Sequence, residues 1–274
     1  MVDGLWRYDR AMRARLVSAA LAASCLWRAN DASACSCMGP RDSLVGPDRI
    51  EDAPTNTHIR VEVADAARAA GVVVRIPGSE AGVETTSKTW PSGYLTFVEV
   101  TPKKPLAPST RYEIAIVDKG KFPSTTVLGT FKTGTATDAT APKLDAIGNA
   151  TAQGNAHAGG GDCSIKGPWI DVGPITVDDP GRPNAKLVYA VWSGDATGNV
   201  DTSKPPNAML LARGPAPGTP AHQKSLTIGK RSLCDPHGFD LPKAQFGSFA
   251  IAAVDESGNT SAPKRFRVDF RGVP

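Results

Sequence analysis

The sequence predicts an all-β chain made of two antiparallel β-sandwiches in tandem, and three observations carry that reading. Short apolar–polar alternations recur along the chain, with no sustained helical period. Turn residues are dense, with 27 Gly and 23 Pro in 274 residues. Hydrophobic residues make up 41% and aromatic residues only 6%, which suits short strands between turns and is enough for one large or two ordinary cores.

The first 34 residues read as an export signal. Arg13 and Arg15 precede the apolar run Leu16–Trp27, which is too short to span a bilayer, and Ala32-Ser33-Ala34 supplies a small-x-small cleavage pattern. The charged region fits best if translation begins at Met12 rather than Met1. No second apolar segment is long enough for a membrane span, so the expected location is secreted or in the cell envelope, extracellular or periplasmic. A lipid anchor at Cys25 or Cys35 is the competing form, and neither cysteine has Leu three residues before it. Cleavage after Ala34 leaves Cys35, Cys37, Cys163 and Cys234, an even count that suits disulfides in an oxidising compartment. Bonding Cys35 to Cys37 strains so short a loop. If that strain is borne, or the pair stays reduced, Cys163–Cys234 is the bridge. Otherwise the N-terminal pair is tied across to both. A Cys-x-Cys metal pair lacks a second close Cys/His pair.

The formal charge is +4 and falls to +2 without the first 34 residues, which hold five Arg against three Asp. This is no electrostatic footprint for nucleic acid or anionic lipid, and Lys103-Lys104 and Lys119-Gly-Lys121 read as solvated loop charges.

From residue 35, the elements follow in order. Met38–Pro54 is extended and Pro-rich. His58–Val63 alternates, with Ile59, Val61 and Val63 inward and His58, Arg60 and Glu62 outward. Asp65–Ala70 is a helical turn or loop, Val72–Ile76 a strand apolar on both faces apart from Arg75, and Gly78–Gly82 a turn. Val83–Trp90 and Tyr94–Val100 are strands. Pro105–Gly134 supplies a corner and two more strands, with Tyr112, Ile114 and Ile116 on the apolar parity. That gives six strands in about a hundred residues, and a seventh fits in the Pro-rich opening.

Leu106-x-Pro108-x-Thr110-x-Tyr112 resembles the corner motif of fibronectin type III and related bacterial immunoglobulin-like domains. Pro54-Thr-Asn-Thr-His-Ile59 and Phe131-Lys-Thr-Gly134 complete a frame similar to the SbsA-type bacterial Ig-like domain, over roughly residues 42–134. The resemblance implies an Ig-like sandwich in a surface or secreted module, with the tyrosine hydroxyl bonded back to nearby backbone. It carries no catalytic residues.

Residues 135–142, TATDATAP, read as a linker, which divides the mature chain into an Ig-like domain at 35–134 and a second Ig-like/fibronectin III-like domain at 143–274. In the second, Gly154–Gly161 is a loop tip, Trp169–Val177 a strand broken by Gly173-Pro174, and Leu187–Trp192 a central strand apolar on both faces. Asn207–Ala212, Ser225–Ile228, Phe246–Val254 and Lys264–Phe270 complete it, with Phe266, Val268 and Phe270 inward. Asp255-Glu-Ser-Gly-Asn-Thr-Ser261 resembles the hairpin that closes many such repeats. Gly258 and Asn259 tolerate positive φ, and Asp255 bonds the turn backbone.

The search for chemistry is mostly negative. His58, His157, His222 and His237 are scattered, and there is no zinc-protease helix motif, nucleophile elbow, phosphate loop or dinucleotide glycine pattern. Asp178-Asp179 diverge on a strand or sit in a turn. Calcium at Asp255/Glu256 or Asp195/Asp201 competes with plain turn chemistry, which accounts for the same residues. Trp90, Tyr94 and Trp169 are expected as core or edge residues rather than a sugar-stacking platform. The expected function is non-catalytic, without cofactor or metal: an adhesive, spacer or structural module with a protein or glycan partner at the surface. A carbohydrate- or ligand-binding module and an accessory subunit of an envelope enzyme system are the alternatives.

Overall fold

The computed structural model describes residues 41–47, 51–92, 95–120, 123–154, 168–180, 187–212, 224–230, 240–241 and 245–273. The fold is all-β, with antiparallel strands in four sheets. The N-terminal strands are β1 (Ser43–Gly46), β2 (Ile59–Val63), β3 (Val72–Arg75), β4 (Thr85–Ser92), β5 (Leu95–Pro102), β6 (Arg111–Asp118) and β7 (Ser124–Lys132). They form one sheet in the order β1-β2-β5-β4 and a second in the order β3-β6-β7. This is the four-over-three order of a constant-type immunoglobulin sandwich. The Pro-rich opening supplies the seventh strand, β1.

Alternation explains the core between these sheets. Ile59, Val61 and Val63 of β2 and Val98 and Val100 of β5 face Val72, Val74, Ile114, Ile116, Tyr112 and Phe131 of the other sheet. Asp65 caps the short 3-10 helix Ala66–Gly71, its Oδ1 accepting from Ala67 N at 2.9 Å. β4 begins at Thr85 rather than Val83 and runs on through Pro91 to Ser92. Its partner β5 runs past Val100 to Pro102, because the two pair without interruption from Thr85↔Pro102 to Ser92↔Leu95.

The C-terminal strands are β8 (Lys143–Gln153), β9 (Trp169–Asp178), β10 (Val188–Ser193), β11 (Ala208–Leu211), β12 (Lys224–Ile228), β13 (Phe246–Val254) and β14 (Lys264–Asp269). Their sheets are β12-β9-β8 and β11-β10-β13-β14, so the fourth strand sits beside β10 instead of β12. Both halves therefore have an Ig/fibronectin III-like strand arrangement and differ in which sheet takes the fourth strand. β9 continues through Gly173-Pro174, where a break was expected. Gly148 on β8 explains this, since a Cβ there would collide with the Gly173 backbone and lie 2.6 Å from Pro174 Cδ. The bare glycine lets the strands stay paired on either side of the proline, at Ile147↔Ile175 and Asn149↔Gly173.

A third apolar layer joins the halves. Val45, Trp90 and Phe97 on the outer face of β1-β2-β5-β4 cluster with Val188, Ala190, Trp192, Val200, Met209, Ala250, Ala252 and Val254 on the outer face of β11-β10-β13-β14. The bulky pair Trp90 and Phe97, edge-to-face at 6.1 Å between ring centroids, meets a face made small by alanines. Four sheets are thus stacked in series around three buried layers.

Two substitutions test this packing. Tyr112→Phe leaves the Ala107 N–H without its acceptor (2.9 Å) and is expected to lower stability by about 1 kcal/mol in urea unfolding. Trp90→Ala empties the middle layer and is expected to cost about 3–5 kcal/mol by the same measurement. An unchanged midpoint in either would contradict the packing described.

Candidate functional site

The most elaborate polar arrangement lies in the seam between the sandwiches. Strand parity puts His58, Arg60 and Glu62 on the outer side of the first sheet, where solvent was expected, yet Arg60 is 2% and Glu62 5% exposed. The second sandwich covers that face. His58 lies one residue before β2 rather than within it. Arg60 Nε donates to Glu99 Oε2 at 2.9 Å, and His58 Nδ1 lies 3.4 Å from Glu99 Oε1 and 3.4 Å from Thr101 Oγ1. Burial pushes the Glu99 carboxyl up, but the hydrogen bond from His58 and the charges of Arg60 and His58 together outweigh it and hold the group at about 2. Glu99 is therefore an anion that neutralises a buried guanidinium.

The Asp255–Ser261 hairpin docks beside it. His58 N donates to Glu256 O at 2.6 Å and Thr57 Oγ1 to the same oxygen at 3.2 Å. Gly258 has φ of +82°, and a Cβ there would strike the His58 ring. Glycine is thus required twice over, for the turn and for the close approach. Asn56 exchanges hydrogen bonds with the Asp138 backbone, Nδ2 to O at 2.7 Å and N to Oδ1 at 2.9 Å, and Asn259 Nδ2 reaches the same carbonyl at 3.1 Å. Residues 135–142 are tied down between both sandwiches. Asp255 is fully buried; its Oδ1 accepts from Ser257 N and Asn259 N, and burial pushes its carboxyl up against those bonds.

A second feature opens on the surface. The outer face of β13 and β14 continues past the seam to Ser248, Phe246 and Arg267, where a groove of about 560 Å³ lies between these strands and the loop Gly194–Gly198. The guanidinium carbons of Arg267 and Arg271 sit 4.6 and 4.7 Å from the centroid of the Phe246 ring, which is 37% exposed. Arg271 is also paired with Asp269, whose carboxylate feels the charge of Arg267 as well. Asp195 Oδ1 accepts from Thr197 N, Thr197 Oγ1 and Asn199 N, and the Thr197 hydroxyl leads the pull of its carboxyl below the usual range.

The corner residues lie together at the other side of the N-terminal core. Leu106 is buried, Pro108 O accepts from Thr110 Oγ1 at 2.9 Å, and Tyr112 Oη accepts from Ala107 N while its ring stacks on Phe131 at 5.6 Å. Thr133 completes the corner, its hydroxyl donating to Ala107 O at 2.6 Å and accepting from Thr110 N at 3.0 Å. In sequence Thr133 belongs to the closing motif Phe131-Lys-Thr-Gly134; its bonds to Ala107 and Thr110 add a corner role that the motif does not state. Asp201 Oδ1 accepts from Ser203 N and Oγ, Asp178 ends β9, and Asp179 is buried. Among the described residues no three His, Cys, Asp or Glu are grouped to hold a metal ion, and no helix is long and apolar enough to cross a membrane. Trp90 and Trp169 are both buried. Cys25, Cys35, Cys37, Cys163, Cys234, Tyr94, His157, His222 and His237 lie outside the described residues.

No protein-family model matches the chain, and no curated protein matches its sequence. Solved structures similar to it include the FN1–FN3 domains of chicken CNTN1, at 12% identity and a TM-score of 0.27, covering 84% of this chain and 65% of that one. The fibronectin(III)-like modules of Clostridium thermocellum CbhA align at 12% identity and a TM-score of 0.25, covering 83% and 93%. The N-terminal part of the bacterial S-layer protein SbsC aligns at 13% identity and a TM-score of 0.24, covering 94% of this chain and 49% of that one. This chain thus spans just under two thirds of the first and about half of the third.

The depressed Glu99 gives the seam a signed pH dependence. Unfolded, the group titrates near 4.5, and folded, at about 2, so between these values the unfolded chain holds the extra proton. The contribution is complete above about pH 4.5 and is lost as pH falls toward 2. Glu99→Gln is expected to flatten stability across that window, measured by urea unfolding at stepped pH. It also strands Arg60, at a cost of about 3 kcal/mol near neutrality.

Proposed function

We propose that this chain is a non-catalytic Ig-like module of the cell surface or secreted space, acting as a rigid two-sandwich strut that holds a protein or glycan partner at a fixed distance and orientation. The observation that carries this reading is the seam. A spacer whose sandwiches share a buried apolar face, an indole bonded to the opposite half and a hairpin bonded to the opposite loop resists bending between its halves, whereas domains joined only by a linker reorient freely. The two seam carboxylates with a resolved environment are spent within it, Glu99 on Arg60 and His58 and Asp255 on its own turn. The export pattern ending at Ala34 and the even cysteine count of the remainder point to the same location.

The test is direct. The tagged full-length protein, expressed in its native host, is expected in the envelope or medium and accessible to added protease. Its N-terminus is expected at Cys35 by mass spectrometry, without a lipid, and non-reducing peptide mapping is expected to find Cys163 joined to Cys234. Retention in the cytoplasm with free thiols at both positions would refute the reading.

A further inference from the structure

We propose that the groove at the uncovered end of the C-terminal four-stranded sheet binds an acidic saccharide, a sugar carrying both a carboxylate and free hydroxyls. This goes beyond the strut reading and does not depend on it. The seam covers the outer face of β10 and β13 at Ala190, Ala250 and Ala252, and the N-terminal sandwich stops there, leaving Ser248 and Phe246 of the same face open beside the Gly194–Gly198 loop.

The groove has three kinds of group in one place. Arg267 supplies a cation whose guanidinium carbon lies 4.6 Å from the Phe246 centroid; the charge of Asp269 reaches it, but both Asp269 oxygens are bonded to Arg271, which leaves the Arg267 N–H donors for a carboxylate ligand. Asp195 lines the same groove with Oδ1 already committed to its own loop, so the charge it presents attracts hydroxyl donors. Ser248 and Gln245 add short polar contacts. A volume of about 560 Å³ accommodates one or two sugar rings.

This combination selects the ligand class. A polyanionic peptide meets Arg267 but is repelled by Asp195. A neutral sugar satisfies Asp195 and leaves Arg267 unanswered. A carboxylated sugar satisfies both, its carboxylate accepting from Arg267 while its hydroxyls donate to Asp195.

Isothermal titration of the full chain decides it, using trigalacturonate, sialyllactose, the methyl ester of each, and hexaglutamate. At least one acidic sugar is expected to bind in the millimolar range or tighter, and its methyl ester about tenfold more weakly. Arg267→Gln, with its melting temperature checked, is expected to lose about tenfold, while Lys143→Gln, which removes an exposed cation on β8 away from the groove, stays within about threefold. No binding of either acidic sugar at roughly 10 mM, equal binding of acid and ester, an equal loss in the Arg267 and Lys143 variants, or tighter binding of hexaglutamate would each overturn the proposal. The ester comparison needs no variant, so a misfolded mutant does not shelter it.

Discussion

Packing of the two outer sheet faces around Trp90 and Phe97 is the contact on which the rest of the structure depends. It converts the solvent side of each sandwich into an interior, which is why Arg60 and Glu99 are found bonded to each other in a place where an unpaired charge would be severely destabilising. Trp90 also fixes the position of the covering sheet, its indole N–H donating to Pro206 O at 3.1 Å in the other half. The hydrophobic layer is non-directional and tolerates sliding, whereas the hydrogen bonds that cross the seam, from Trp90 to Pro206 and from His58 to Glu256, do not. Together they define one register between the sandwiches.

Much of this architecture is written locally. The parities of Ile59–Val63 and Tyr112–Ile116 and the turn chemistry of Asp255–Asn259 depend on near neighbours, so they can be read from a few consecutive residues. β8 escaped because KLDAIGNATAQ has weak alternation; its strand character is imposed by β9. The burial of Arg60, Glu62 and Glu99 escaped for a different reason. Alternation reports that two faces differ in polarity, but not what lies against the polar one, and here the cover comes from the C-terminal strands β10, β11 and β13, far along the chain. A partial signature does exist on the other side: LVYAVW and FAIAAV are apolar on both parities, as strands buried on both faces must be. The seam was thus half legible.

The surface groove was hardly legible. Asp195, Ser248 and Arg267 come from a loop and two strands spread over more than seventy residues, and only Asp195 stood out in sequence, as a turn or calcium residue rather than as part of a groove. Phe246 in sequence is one more strand aromatic. Its exposure follows from where the N-terminal sandwich ends, a property of the assembled sheets rather than of any segment.

The alanine-rich outer face of β10 and β13 has a further consequence, for how such a module is inherited. A sandwich moved on its own must be presentable to water on every face it keeps. Here a C-terminal sandwich copied by itself would display Trp192, Met209 and Val254 as one contiguous apolar patch, an invitation to aggregate. A transfer that keeps both sandwiches keeps that surface covered, and one that separates them uncovers it.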